Sequence, residues 1–407
     1  MPSLSRRRSF VAVVMLVSVV AACASAPRAA APTLRTAERL ADSTFWRLMN
    51  EYSELWGVFR SENFVSNETS LQWVIPELQR TVPAGRVYLG VAPDQNFTYI
   101  AALKPRIAFI VDIRHQNAVQ HLLYKSLFEM SANRAEFLAT LFARPPLVGV
   151  NDHSTAQALF AALANTRPDS GRYRANLRAV TERLVQVHHF ALSDSEVVSL
   201  NCVYRAFFTQ GPALTYNYGS ECRNPGQFGY RGGGGTGGGG FAGGGFGGMP
   251  SFLEMSMESD SAGGNFGYLA SDEAFRRVKD YEERNLIVPV TGNFAGDRSL
   301  RAVGQWAREH DAVVGAFYVS NVEQYLFMQG DEAQRFYANV ATLPTDASST
   351  FIRSFSAGGR GGGPIAKPLH QQSGRSMQLI SGVEALVKAY KAGEVKSWND
   401  VVAHSRQ

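Results

Sequence analysis

The chain has 407 residues, 45% of them hydrophobic, enough to bury a sizeable core as one domain with insertions or as two. Its net charge is +5, with Lys and Arg scattered and no dense basic run beyond the first eight residues, so no nucleic-acid partner is expected. Three cysteines without a C-x-x-C pair point to no metal site.

The N-terminus carries Arg6, Arg7 and Arg8, then an apolar run from Val11 to Val20 that is too short for an ordinary membrane span. It ends in Val20-Ala21-Ala22-Cys23. Small residues before a cysteine read as a lipoprotein-type signal over residues 1–23, with Cys23 as the lipidated residue. The expected location is the bacterial cell envelope, anchored to a membrane by that lipid and facing the periplasm. A plain secretory signal or an uncleaved anchor fits the same run. "RRSF", Arg7 to Phe10, also resembles a twin-arginine signal. In an oxidising compartment the other two cysteines, Cys202 and Cys222, are expected to form a disulfide, and two buried thiols are the alternative.

Residues 24–36 are rich in Ala and Pro and read as a tether. Apolar spacing predicts a helix over 37–56 and another over 69–80. Arg86–Val91 and Ile107–Asp112 are short apolar runs, read as buried strands, joined by a helix over Asn96–Leu103. That order predicts a parallel sheet covered on both faces. A block of helical periodicity follows over about 115–210. Residues 231–248, "RGGGGTGGGGFAGGGFGG", anchor an expected mobile loop over about 223–264. Then come a helix capped by Ser271, a strand over Leu286–Val290, a helix over Arg298–Glu309, a strand over Ala312–Val319 and a short strand near Phe351. Residues 356–407 read as a second Gly-rich stretch followed by a C-terminal helix over Met377–Tyr390.

In open α/β sheets, ligands bind beyond the C-terminal ends of the strands. Four such ends are polar here: Gly90–Asn96, Asp112–Asn117, Thr291–Gly296 and Ser320–Tyr325. The last two contribute Asn293, Asn321, Glu323 and Tyr325 to a candidate rim. Each set taken singly also fits turns and helix caps. Glu62 and Glu68 flank the segment before the first strand, where they fit either acid–base work or loop capping. No G-x-S-x-G or H-E-x-x-H motif occurs, and the catalytic residues are unknown.

The run "VYLGVAPDQNFTYIAALKPRIAFIVDIR" resembles motifs I and II of class I S-adenosylmethionine-dependent methyltransferases. With "NLIVPVTGNFAG" and "AFYVSNVEQYL" it is also similar to a group of uncharacterised bacterial proteins built on that fold, over most of residues 60–355. The resemblance implies an α/β, Rossmann-like, mostly parallel sheet, methyltransferase-like and spanning 37–355, with a large helical insertion. It implies cofactor-binding roles for Gly90, Ala92, Asp94, Asn96, Asp112 and Arg114, and S-adenosylmethionine as the cofactor. Asp112 would hold the ribose hydroxyls and Gly90 would allow close backbone approach. The usual loop has three spaced glycines, and Ala92 and Asp94 stand near the later two.

Three functions are open at this point. One is a methyltransferase-like lipoprotein that binds a small ligand, nucleoside-like or otherwise, or an envelope partner at the strand rim. The second is an active methyltransferase. The third is a structural envelope lipoprotein. Export places the chain away from the cytoplasmic supply of S-adenosylmethionine, which favours the first.

Overall fold

The computed structural model describes residues 39–55, 57, 59, 63–216, 222, 249–355 and 376–406. Cys23 and its signal, the tether, Glu62, the glycine run 231–248 and the stretch 356–364 lie outside the described residues.

The first half contains α1 (Asp42–Glu51), α2 (Ile75–Thr81), β1 (Val87–Gly90), α3 (Gln95–Leu103), β2 (Ile107–Asp112) and α4 (His115–Met130). The helical block continues with α5 (Arg134–Leu141), α6 (Ala156–Ala164), α7 (Ser170–Glu182), a π-helical turn (Arg183–Val187) and α8 (Asp194–Gln210). After it come α9 (Phe252–Met257), α10 (Asp272–Glu283), β3 (Ile287–Thr291), α11 (Ser299–Glu309), β4 (Val314–Ser320), α12 (Val322–Leu326) and α13 (Glu332–Val340). The chain closes with β5 (Thr350–Phe355), β6 (Met377–Gly382), α14 (Val383–Lys391) and α15 (Trp398–Ala403).

The six strands form one sheet in the order β3-β2-β1-β4-β5-β6. All neighbours are parallel except β5 and β6. This is a Rossmann-like α/β fold. Nearly every strand residue is buried, as continuous apolar strands require when helices cover both faces. The order reverses between β1 and β4, which sets a crevice at their C-terminal ends. Helix α4 is the crossover from β2 and packs on β3, while α5, α7 and α8 stack on α4 from outside.

Three expectations shift. Helix α2 starts at Ile75, not near Thr69, because Pro76 is tolerated only in a first helical turn. The predicted 223–264 loop is not all loop. Ser251 and Glu254 form a capping box, and Phe252 and Met255 are buried, so α9 forms within it. Met377–Gly382 is a strand rather than the start of the last helix. Periodicity does not distinguish strand from helix in so short an apolar run. As the sixth strand it makes the C-terminal part integral to the α/β domain.

Cys202 and Cys222 are disulfide-bonded, with their Cα atoms 5.7 Å apart. The bond joins α8 to a residue whose carbonyl accepts from Gln116 Nε2 at 3.2 Å. A thiol titration of the denatured, unreduced chain should find neither cysteine reactive. Two free thiols would contradict the bond.

Between α1, α4, α10 and the π turn lies a buried ionic cluster. Glu129 accepts from Lys125 Nζ at 2.6 Å and Arg183 Nε at 2.6 Å, and lies 2.7 Å from His188 Nε2. Burial pushes the Glu129 carboxyl up, but these three partners outweigh it and hold it at about 2. Glu282, beside them, has no such side-chain bonds among the described residues, and burial pushes it up to about 8.

Candidate functional site

Residues following α1 run across the C-terminal ends of the strands. Glu54 N–H donates to Thr291 O (2.8 Å) at the end of β3, and Gly57 N–H to Ile113 O (3.0 Å) just beyond β2. Farther on, Asn63 O accepts from Arg114 Nη1 (3.4 Å) and Phe64 O from Gln120 Nε2 (2.7 Å). Glu68 then reaches β4 and β6. It accepts from Tyr318 Oη at 2.5 Å, from Ser320 Oγ and from Gln378 Nε2 at 3.3 Å. Burial pushes the Glu68 carboxyl up, against the pull of these bonds. The segment 63–68 therefore lies over the switch point, where an open α/β sheet would receive a ligand.

The glycine turn is filled by its own chain. A Cβ on Gly90 would meet Asn96 Oδ1 at 2.0 Å. That oxygen accepts from Tyr88 Oη (2.9 Å), and Asn96 Nδ2 donates to the carbonyls of Val91, Ala92 and Pro93 at 2.8–2.9 Å. Ala92 sits at φ +68°, a left-handed conformation that costs a non-glycine residue roughly 1–2 kcal/mol. Asp112 holds it by accepting its N–H at 3.2 Å, and Asn96 and His121 hold its carbonyl.

Asp112 stands at the end of β2 and faces the β1 turn. Both its oxygens are engaged by Arg114: Oδ1 by the backbone N–H (2.8 Å) and Nε (3.1 Å), Oδ2 by Nη2 (3.0 Å). A ribose diol held in the usual way would need both oxygens and the space over Gly90. The residues present do not fit S-adenosylmethionine in that pose.

The other rim candidates act mainly on the scaffold. Asn293 Nδ2 donates to Glu332 at 3.0 Å while its Oδ1 accepts from Ala295 N–H at 2.9 Å. Asn321 Oδ1 lies 3.4 Å from Ser320 Oγ, whose proton goes to Glu68. Glu323 is fully buried and pairs with the equally buried Arg353, and it also accepts from Tyr337 Oη at 2.6 Å. The Tyr325 ring meets Phe59 edge-on at 5.4 Å. A hydroxyl–imidazole–carboxylate chain runs from Thr291 through His115 to Glu196, with links of 2.9 and 3.0 Å. Thr291 is 1% exposed, so a substrate has no approach to its hydroxyl.

Asp94 differs from these. It precedes α3 without using its side chain as a cap, and it lines a cleft of about 20 Å³ with Ser66, Gln95, Met255, Tyr268 and Leu269. Tyr268 Oη donates to Asp94 Oδ2 at a long 3.4 Å. Asp94 Oδ1 and Gln95 Oε1 are buried without a hydrogen-bond partner among the described residues. Asp94 is 9% exposed and Gln95 4%. Burial pushes the Asp94 carboxyl up to about 7. Orphaned buried acceptors are unfavourable by roughly 1–3 kcal/mol each, so two in one cleft call for an occupant.

Of the sequence candidates, the structure brings Gly90, Ala92, Asp94, Asn96, Asp112 and Arg114 to one end of the sheet. Only Asp94 among them offers an unpartnered polar atom. Sequence reasoning missed Ser66, Tyr268 and Tyr318, which arrive from distant segments with no motif around them. Glu68 was visible only as an acid before the first strand. Among the described residues no group of three or more His, Cys, Asp or Glu could hold a metal ion. None of the described helices is long and apolar enough to cross a membrane.

The chain matches the family described as Domain of unknown function (DUF7790) over residues 63–201 and 248–391, more than half of its length. It belongs to that family. The family's two matched segments contain the strap residues 63–68, all six strands and the Asp94 cleft, so this site is part of what the family covers. No curated protein matches the chain.

Proposed function

We propose that this is an exported, lipid-anchored α/β protein of methyltransferase-like descent that binds a small polar ligand at the rim of its sheet, in the cleft beside Asp94. The observation that carries the reading is that two residues lining one cleft at the β1 end, Asp94 and Gln95, each keep a buried, unpartnered acceptor, Oδ1 and Oε1. The filled glycine turn and the Arg114 fork on Asp112 argue against a nucleoside in the usual cradle. The anchoring part of the reading rests on residues 1–23 and on Cys23 alone.

The strand order favours a second reading, an active S-adenosylmethionine-dependent methyltransferase. Calorimetric titration with S-adenosylmethionine, S-adenosylhomocysteine and adenosine separates the two. No saturable binding is expected from the parent chain. Micromolar binding that Asp112→Asn weakens tenfold or more would make the methyltransferase reading the better one. Each charge-assisted hydrogen bond lost is worth about 1.5–3 kcal/mol.

A further inference from the structure

Resting on the reading of the Asp94 cleft as the ligand site, we infer that it receives a primary ammonium group, R–NH3+, carried by a small soluble amine or by an ethanolamine-type headgroup. The unpartnered atoms are acceptors, so the missing partner must donate. Tyr318 gives its hydroxyl proton to Glu68 and therefore accepts from Gln95 Nε2 at 3.0 Å. That fixes the Gln95 amide and leaves Oε1, a carbonyl oxygen, without a donor. Asp94 Oδ1 is the second such atom. Ser66 also lines the cleft, and its Oγ, which accepts from Glu68 N–H at 3.1 Å, keeps a second lone pair. An ammonium has three N–H donors and no acceptor, which matches this set.

Charge points the same way. No Lys, Arg or His lines the cleft. The N-terminal end of α3 opposes a cation, but with roughly half a charge against the full charge of an ionised Asp94. Size is decisive between ligands. About 20 Å³ admits one water-sized group, which an ammonium is and a nucleoside is not. Leu71, Met255 and Leu269 give the carbon stem an apolar wall.

The titratable groups facing Asp94 are Tyr268 and Tyr124, both held neutral by burial. With its carboxyl at about 7, Asp94 ionises as pH rises through neutrality, and an ammonium supplies the missing counter-charge. Binding to the ionised form alone makes affinity at pH 5.5 about 30-fold weaker than at pH 8.

The test is calorimetric titration of the full chain with n-butylammonium chloride at both pH values. n-Butanol and N,N,N-trimethylbutylammonium serve as controls. The expected result is saturable butylammonium binding at pH 8, about 30-fold weaker at pH 5.5. Asp94→Asn, with a melting midpoint no lower than the parent's, should lose at least tenfold, and neither control should bind. Should that variant fail to fold, Gln95→Met removes the second acceptor and should also weaken binding. Flotation of the protein with phosphatidylethanolamine but not phosphatidylcholine vesicles would assign the ammonium to a headgroup, and no flotation would assign it to a soluble amine. Equal binding of butanol and butylammonium, or an affinity indifferent to pH and to Asp94→Asn, would overturn the inference and leave only a trapped water. If butylammonium fails to bind while an Asp94-dependent ligand co-purifies, the cleft remains the ligand site and the ammonium assignment falls.

Discussion

Arg353→Ala should destabilise the fold by about 3–5 kcal/mol, read as a lower midpoint in urea unfolding. Arg353 and Glu323 are 0% and 1% exposed in their side chains, and Arg353 Nη1 also donates to Ser381 Oγ at 2.6 Å. Removing the guanidinium leaves Glu323 charged in the interior with Tyr337 as its one side-chain partner among the described residues. The double variant Glu323→Leu/Arg353→Met should recover most of the loss, because desolvating both ions offsets most of their attraction. A loss under 1 kcal/mol in Arg353→Ala would show that the pair is not buried as described. The outcome also separates scaffold from site: Glu323 looked like a rim ligand in the sequence, and a pure stability phenotype fixes it as a clasp between α12 and β5.

Glu282→Gln should stabilise the protein at pH 8 by up to about 4 kcal/mol and change little at pH 4.5. Burial raises Glu282 to about 8 from an unfolded value of 4.5. A raised acid contributes stability that is fully present below its unfolded pKa and lost as pH rises through its folded pKa. Lys125 Nζ donates to the Glu282 main-chain carbonyl, so that bond survives the substitution. Asp94, raised to about 7, adds to the same slope. Glu129 and Glu196, both held at about 2, act oppositely. Their stabilisation is present above about pH 4.5 and disappears as pH falls toward 2. Thermal stability of the parent should therefore peak in weak acid, and the peak should broaden toward alkali in Glu282→Gln. A variant less stable than the parent at pH 8 would mean that the carboxylate is paired rather than stranded.

The sheet was legible where strands are long apolar runs between breakers. Ile107–Asp112 matches β2 at both ends, and β1, β3 and β4 lie within two residues of their expected bounds. β6 was not legible, because what makes Met377–Gly382 a strand is its antiparallel pairing with β5, a contact the local pattern does not encode. Asp112 was legible in place but not in role. Its position follows from the end of an apolar strand, whereas the engagement of both its oxygens depends on how the Arg114 side chain folds back. The strap was hidden for a similar reason. Residues 63–68 have no periodicity, and their backbone carbonyls, rather than a motif, meet Arg114 and Gln120. Tyr268 stands 174 residues from Asp94 and meets it only through the fold.

Native mass spectrometry of the full chain, purified without denaturation, shows whether the Asp94 cleft holds a small ligand. The parent should carry a discrete small-molecule mass above that of the polypeptide. Asp94→Asn, with a melting midpoint no lower than the parent's, should lack it. A parent chain with no bound mass, or a variant that retains the same one, would contradict the claim.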